Sequence, residues 1–126
     1  MIRFFLLLVF LVAGCATTRL ESLALLQGQT EARMFDGRED RGGTAGKAVS
    51  IVGLPEIMTR ATWDSRRFIH KGGHWLRFAN GTEVFIPLGF EFFQVKGVPG
   101  SYVVRPEDVP AYNAVRERMY RAYRAP

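Results

Sequence analysis

Asn80-Gly81 lies between two short runs rich in aromatic and branched residues, "HWLRFA" (74–79) and "TEVFIP" (82–87). This dipeptide constrains the fold more than any other feature of the chain. A type I′ turn needs positive φ at both central positions, and Asn-Gly meets that need best. The spacing predicts a β-hairpin in which Phe78 pairs with Glu83, Leu76 with Phe85 and Trp75 with Ile86. Similar runs lie on either side: "RRFIH" (66–70), "FEFFQVK" (90–96) and "SYVVR" (101–105), separated by "KGG", "LG" and "GVPG". Short β-prone segments punctuated by glycine read as a meander of antiparallel strands. We expect four or five strands over about 63–105.

In the predicted register Leu76, Phe78 and Phe85 share one face, and Trp75, Val84 and Ile86 the other. Both faces are apolar at the centre, so a helix on one side leaves the second to be covered by other means. The sheet could curl on itself, the N-terminal segment could cover it, or a partner could.

The chain ends in "RPEDVPAYNAVRERMYRAYRAP". Asp108 is a good N-cap and Pro110 is tolerated in the first helical turn. At helical spacing Val109, Tyr112, Val115, Met119, Tyr120, Ala122 and Tyr123 form one apolar arc. Arg116 falls inside it and must reach out or find a partner. Arg118, Arg121 and Arg124 lie on the opposite side. A C-terminal amphipathic helix over about 108–124 follows. Upstream, "AVSIV" (48–52) suits a strand, and Pro55-Glu56 could open a short helix over 55–61. The fold class is therefore α+β, a small antiparallel meander with a C-terminal helix. The alternative is an SH3-like small β-barrel with the helix appended.

The front of the chain belongs to another category. Arg3 precedes nine uninterrupted apolar residues, Phe4 to Val12. That length suits a secretory leader and falls short of the roughly 20 residues of a membrane span. Ala13, Gly14 and Cys15 follow. Leu11-Val12-Ala13-Gly14-Cys15 resembles the lipobox of bacterial lipoproteins cut by the type II signal peptidase. The resemblance implies cleavage before Cys15, diacylglycerol on its sulfur and a further acyl chain, such as palmitate, on its new amine. Ala16 in the second mature position implies sorting to the outer membrane; a periplasmic placement is expected, though the residue itself does not choose between the periplasmic and outer surfaces. Two or more acyl chains hold stably where one binds reversibly. Cys15 is also the only cysteine, so the exported domain has no internal disulfide and relies on packing.

The layout expected from sequence is a signal peptide at 1–14, a lipidated segment and flexible linker at 15–46, and a small globular domain at 47–126. Within the second part Thr18 and Glu21 form a capping box for a short helix ending near Gly28. "DGREDRGGTAG" (36–46) has the composition of a flexible linker. A tether of about 30 residues would reach roughly 30 Å.

Chemistry is scarce. "GGTAGKA" (42–48) is one residue short of a phosphate loop, and Ala48 stands where the metal-binding hydroxyl belongs. The two histidines, His70 and His74, are the available metal candidates. They flank "KGG", which opposes a helix, and a hairpin there has either a Gly72-Gly73 or a Lys71-Gly72-Gly73 loop. Only the longer loop puts both on one face, and a third ligand is still missing. We therefore expect a plain turn, no metal and no cofactor. Ser50, Ser65 and Ser101 lack a nucleophile elbow, and no recognisable carboxylate pair is present. Of the 17 basic residues only Lys47, Lys71 and Lys96 are lysine; the modest positive charge could favour anionic head groups but reads first as an ordinary solubility device, and no nucleic-acid partner is expected.

These readings converge on a non-enzymatic, membrane-anchored envelope lipoprotein that binds an envelope protein or an assembly. Arg118, Arg121, Arg124, Trp75 and Phe92 are the candidate contact residues. The alternatives are a periplasmic ligand binder or enzyme inhibitor, and a small hydrolase.

Overall fold

The computed structural model describes residues 23–36 and 46–126. The leader, Cys15 and the Thr18–Glu21 capping box lie outside the described residues, as does most of the "DGREDRGGTAG" stretch. A helical turn at Leu23 opens the described chain and ends at Gly28, with Leu26 N–H donating to Leu23 O (3.0 Å). Seven strands follow: β1 (Glu31–Phe35), β2 (Lys47–Ser50), β3 (Thr62–Asp64), β4 (Gly73–Arg77), β5 (Glu83–Pro87), β6 (Phe92–Val95) and β7 (Ser101–Val103). Helix α1 (Leu54–Arg60) joins β2 to β3, and α2 (Val109–Arg124) closes the chain after a single 3₁₀ turn at Pro106–Asp108.

The strands form one antiparallel sheet in the order β2-β1-β4-β5-β6-β7-β3. It is an α+β fold with an open sheet, β2 and β3 forming its edges, so the barrel alternative is set aside. Five strands lie within the region read as a meander. The other two come from further upstream. β1 sits inside the sheet between β2 and β4, with Met34 opposite Leu76 and Ala32 opposite Val49. Leu23, Leu26, Ala32, Met34 and Phe35 are all buried. Residues 23–36 thus belong to the fold together with the span from Lys47, because β4 pairs with β1 and the core includes Leu23, Leu26, Ala32 and Met34.

Residues 78–82 shift the predicted hairpin register by one. Gly81 N–H donates to Phe78 O (2.9 Å) and Phe78 N–H to Thr82 O (2.9 Å), giving a three-residue loop. Gly81 alone has positive φ (+89°), and Asn80 accepts from Thr82 N–H (3.0 Å). This is the type I turn followed by a left-handed glycine, not the two-residue type I′ turn. Leu76 therefore faces Val84, Trp75 faces Phe85, and His74 faces Ile86.

One slip exchanges faces for the paired residues. Met34, Leu76, Val84, Ile86, Phe93, Val95 and Tyr102 share one side with His74 and form the main core. Helix α2 packs on that side through Tyr112, Val115, Met119 and Tyr120, while α1 adds Leu54, Ile57 and Met58. The apolar arc read from the sequence is the buried arc. Arg116 reaches out to accepting carbonyls, Pro87 O (3.3 Å) and Phe90 O (2.5 Å). Asp108 occupies the N-cap position, but its carboxylate turns to Arg60 in a two-pronged pair (3.0 and 3.0 Å) and makes no side-chain cap bond.

Candidate functional site

The second face of the sheet carries Phe35, Trp75, Phe85, Phe92 and Gln94, and the chain itself covers much of it. After β3 the backbone leaves one end of the sheet and crosses this face over residues 65–72 before entering β4. The predicted strand "RRFIH" is this crossing strap, and "KGG" is its exit rather than a hairpin loop. Gly73 lies in β4 opposite Pro87, where a Cβ would sit 2.2 Å from Ile86 O. The glycine is needed there for close backbone approach.

Polar and aromatic contacts fasten the strap. Gln94, only 2% exposed, donates through its amide to Phe68 O (3.0 Å) and to Ser101 Oγ (3.2 Å). Phe68 N–H donates to the same Ser101 Oγ (3.1 Å). Phe68 meets Phe92 edge-on with ring centres 5.2 Å apart, and His70 lies over Phe85 at 4.3 Å. At the start of the strap Arg66 grips Asp64 through Nε (3.1 Å), Nη2 (2.8 Å) and backbone N–H (2.8 Å), and its guanidinium covers Phe68. These hydrogen bonds from Arg66 lower the Asp64 carboxyl from 3.8 to about 2.

Beside the strap an open groove of about 670 Å³ runs between Asp64–Arg66 and the β5–β6 turn. Phe68, Phe90 and Phe92 form its aromatic wall, and Val103, Pro106 and Val109 line the far side. Arg116 holds the turn from beneath through Pro87 and Phe90 carbonyls. Phe90 is 42% exposed, Leu88 in the same turn 49%, and Ile69 on the strap 92%. This surface is suited to making an apolar contact with a charged rim.

The two histidines lie on opposite sides of the sheet. His74 contacts Tyr120 and Tyr123 of α2, both at 5.0 Å, while His70 belongs to the strap and packs on Phe85. Neither hairpin alternative holds, since no hairpin joins them. Among the described residues no three His, Cys, Asp or Glu side chains gather as metal ligands would. The five candidate contact residues also divide. Trp75 and Phe92 belong to the strap-covered face, where Trp75 meets Phe85 and Phe92 is buried. Arg118, Arg121 and Arg124 lie on the outer side of α2, bonded to Val52 O (2.6 Å), Glu117 Oε1 (2.5 Å) and Tyr120 O (3.4 Å). Sequence reasoning missed Gln94, and it weighed Ser101 only as a nucleophile, not as the group that holds the strap. The one available signal was a lone amide inside the apolar run "FFQV".

No protein-family model matches the chain, and comparison with curated proteins and with solved structures finds no match.

Proposed function

We propose that this chain is a lipid-anchored lipoprotein of the cell envelope, held at the periplasmic side of the outer membrane through Cys15. There it acts as a non-enzymatic binding or assembly module toward an envelope protein. The observation that carries the reading is the Leu11–Cys15 box placed directly after an apolar run of leader length. The shape of the groove speaks against the ligand-binder alternative. It is open to solvent and walled by phenylalanines, unlike the closed pocket that a small-ligand binder encloses. No helix of the described residues is long and apolar enough to cross a membrane, which suits attachment by acyl chains.

Metabolic labelling with palmitate and membrane fractionation test the anchor. Cys15→Ala should abolish both the label and membrane retention. A mature product with an intact, unmodified thiol overturns the reading. Crosslinking in the native membrane tests the binding role, and a lipidated chain captured with no envelope protein at all counts against it.

A further inference from the structure

We infer that the strap over residues 65–72, with the adjoining Leu88–Phe90 turn, is the membrane-facing surface of the domain and seats on anionic phospholipid. The inference rests on the reading of Cys15 as the anchor, and it deepens that reading by assigning an orientation.

Reach comes first. Leu23 is locked into the core, so only eight residues, 15–22, lead from Cys15 to the folded unit. Fully extended, they span at most about 28 Å. A five-residue strand is itself roughly 17 Å long. The domain therefore stays within about its own dimensions of the bilayer, and one of its surfaces must meet the headgroups repeatedly.

Two sides differ in what they offer. On the strap side Ile69, Leu88 and Phe90 are the exposed apolar groups. Leu88 N–H donates to Gly72 O (2.9 Å), which holds the turn against the end of the strap. Phe90 and Phe68 both pack on Phe92, which links the turn to the middle of the strap. Arg67 and Lys71 flank Ile69 and are exposed. Asp64 is matched by Arg66, and Glu91 is the remaining acidic group of the groove wall. An apolar tip between basic side chains has the composition that binds the headgroup region of an anionic bilayer. The outer side of α2 carries three arginines already engaged by Val52, Glu117 and Tyr120.

The test uses the full lipidated protein reconstituted into vesicles. With the Cys15 sulfur acylated, Ile69→Cys introduces the single reactive thiol, which takes a nitroxide. Its accessibility to an aqueous nickel relaxant is measured by electron paramagnetic resonance. One membrane is phosphatidylethanolamine with phosphatidylglycerol, and the other is phosphatidylcholine. The label at 69 should be shielded on the anionic vesicles and wet on the neutral ones. A label at Ala114→Cys, on the exposed side of α2, should be wet on both. Neutralising Arg67→Gln and Lys71→Gln should lower the docked-to-free ratio roughly 25-fold, at about fivefold for each basic side chain near the surface.

A label at 69 equally wet on both membranes, with one label per chain, overturns the seat and leaves the anchor standing. Shielding that follows protein concentration instead of anionic lipid assigns the surface to a protein contact and also overturns it. Two labels per chain reveal a free Cys15 thiol, and this separate result overturns the anchor and the seat that depends on it.

Discussion

Replacing Gln94 by methionine should loosen the strap while keeping the core filled. The two side chains have similar volume, and the position is almost wholly buried. Methionine cannot donate to Phe68 O or Ser101 Oγ, so both bonds made by the amide are lost. A typical net contribution is about 1 kcal/mol for each bond. The Phe68 carbonyl left unpaired in a part-buried place adds to the loss, so roughly 2–3 kcal/mol is expected. Phe68 still has its own N–H bond to Ser101 and its edge contact with Phe92, so the strap should open more often without being released outright. Trypsin reads that opening, because Arg66, Arg67 and Lys71 all lie on the strap. Where cleavage follows the open population, about 2 kcal/mol corresponds to a rise of roughly 30-fold in the cutting rate. Urea unfolding should show a midpoint lower by roughly 1–2 M, taking the slope usual for a small domain. A fall in global stability with no change in strap cleavage would mean that the amide supports the core and not the crossing. No change in either would refute the clamp altogether.

Two other substitutions probe different parts of the same structure. Met34→Ala, in the buried centre of β1, should lower the unfolding free energy by about 2–5 kcal/mol in urea titrations; an unchanged midpoint would return residues 23–36 to the role of a linker. Asp64 should titrate near pH 2 when its carboxyl carbon is followed by nuclear magnetic resonance, and near its ordinary 3.8 in Arg66→Ala. Because the folded value is depressed, the pair's contribution is complete above about 3.8 and is lost as pH falls toward 2. A wild-type midpoint near 3.8 would show that Arg66 does not hold the carboxylate.

Where local chemistry and tertiary packing agree, the sequence is easy to read. The arc through Tyr112, Val115 and Met119 has one periodicity and one use, and it is the buried arc of α2. The Asn80-Gly81 turn was legible as a turn, but its loop length was not. Asn-Gly also fits a three-residue loop with glycine in the left-handed position, and that choice moves the register by one. β1 was hidden for a different reason. "EARMF" is made largely of good helix formers, and it is a strand because β2 and β4 pair with it on both sides. The strap deceived in the opposite sense. "RRFIH" has strand composition, yet it sits across the sheet where Gln94 and Ser101 hold its backbone. No periodicity reports a residue's partner thirty positions away. The split of the contact residues between two sides follows from the same shortfall, since the side on which Trp75 lies depends on a register that only the loop decides.

β1 also changes how an anchored chain must behave mechanically. A domain starting at Lys47 would hang from a long tether, and movement of the membrane would be absorbed by that tether. Here the chain is already buried at Leu23, turns, and runs at once into the inside of the sheet between β2 and β4. Remove β1 and, among the described residues, β2 loses its partner strand, while β4 loses one of its two neighbours beside an open cavity at Met34. β1 is thus among the segments the fold can least spare. Under the proposed anchoring at Cys15, tension on the anchor would pass toward β1 at the inside of the sheet, and a lead of at most eight residues would limit how freely the domain turns above the bilayer.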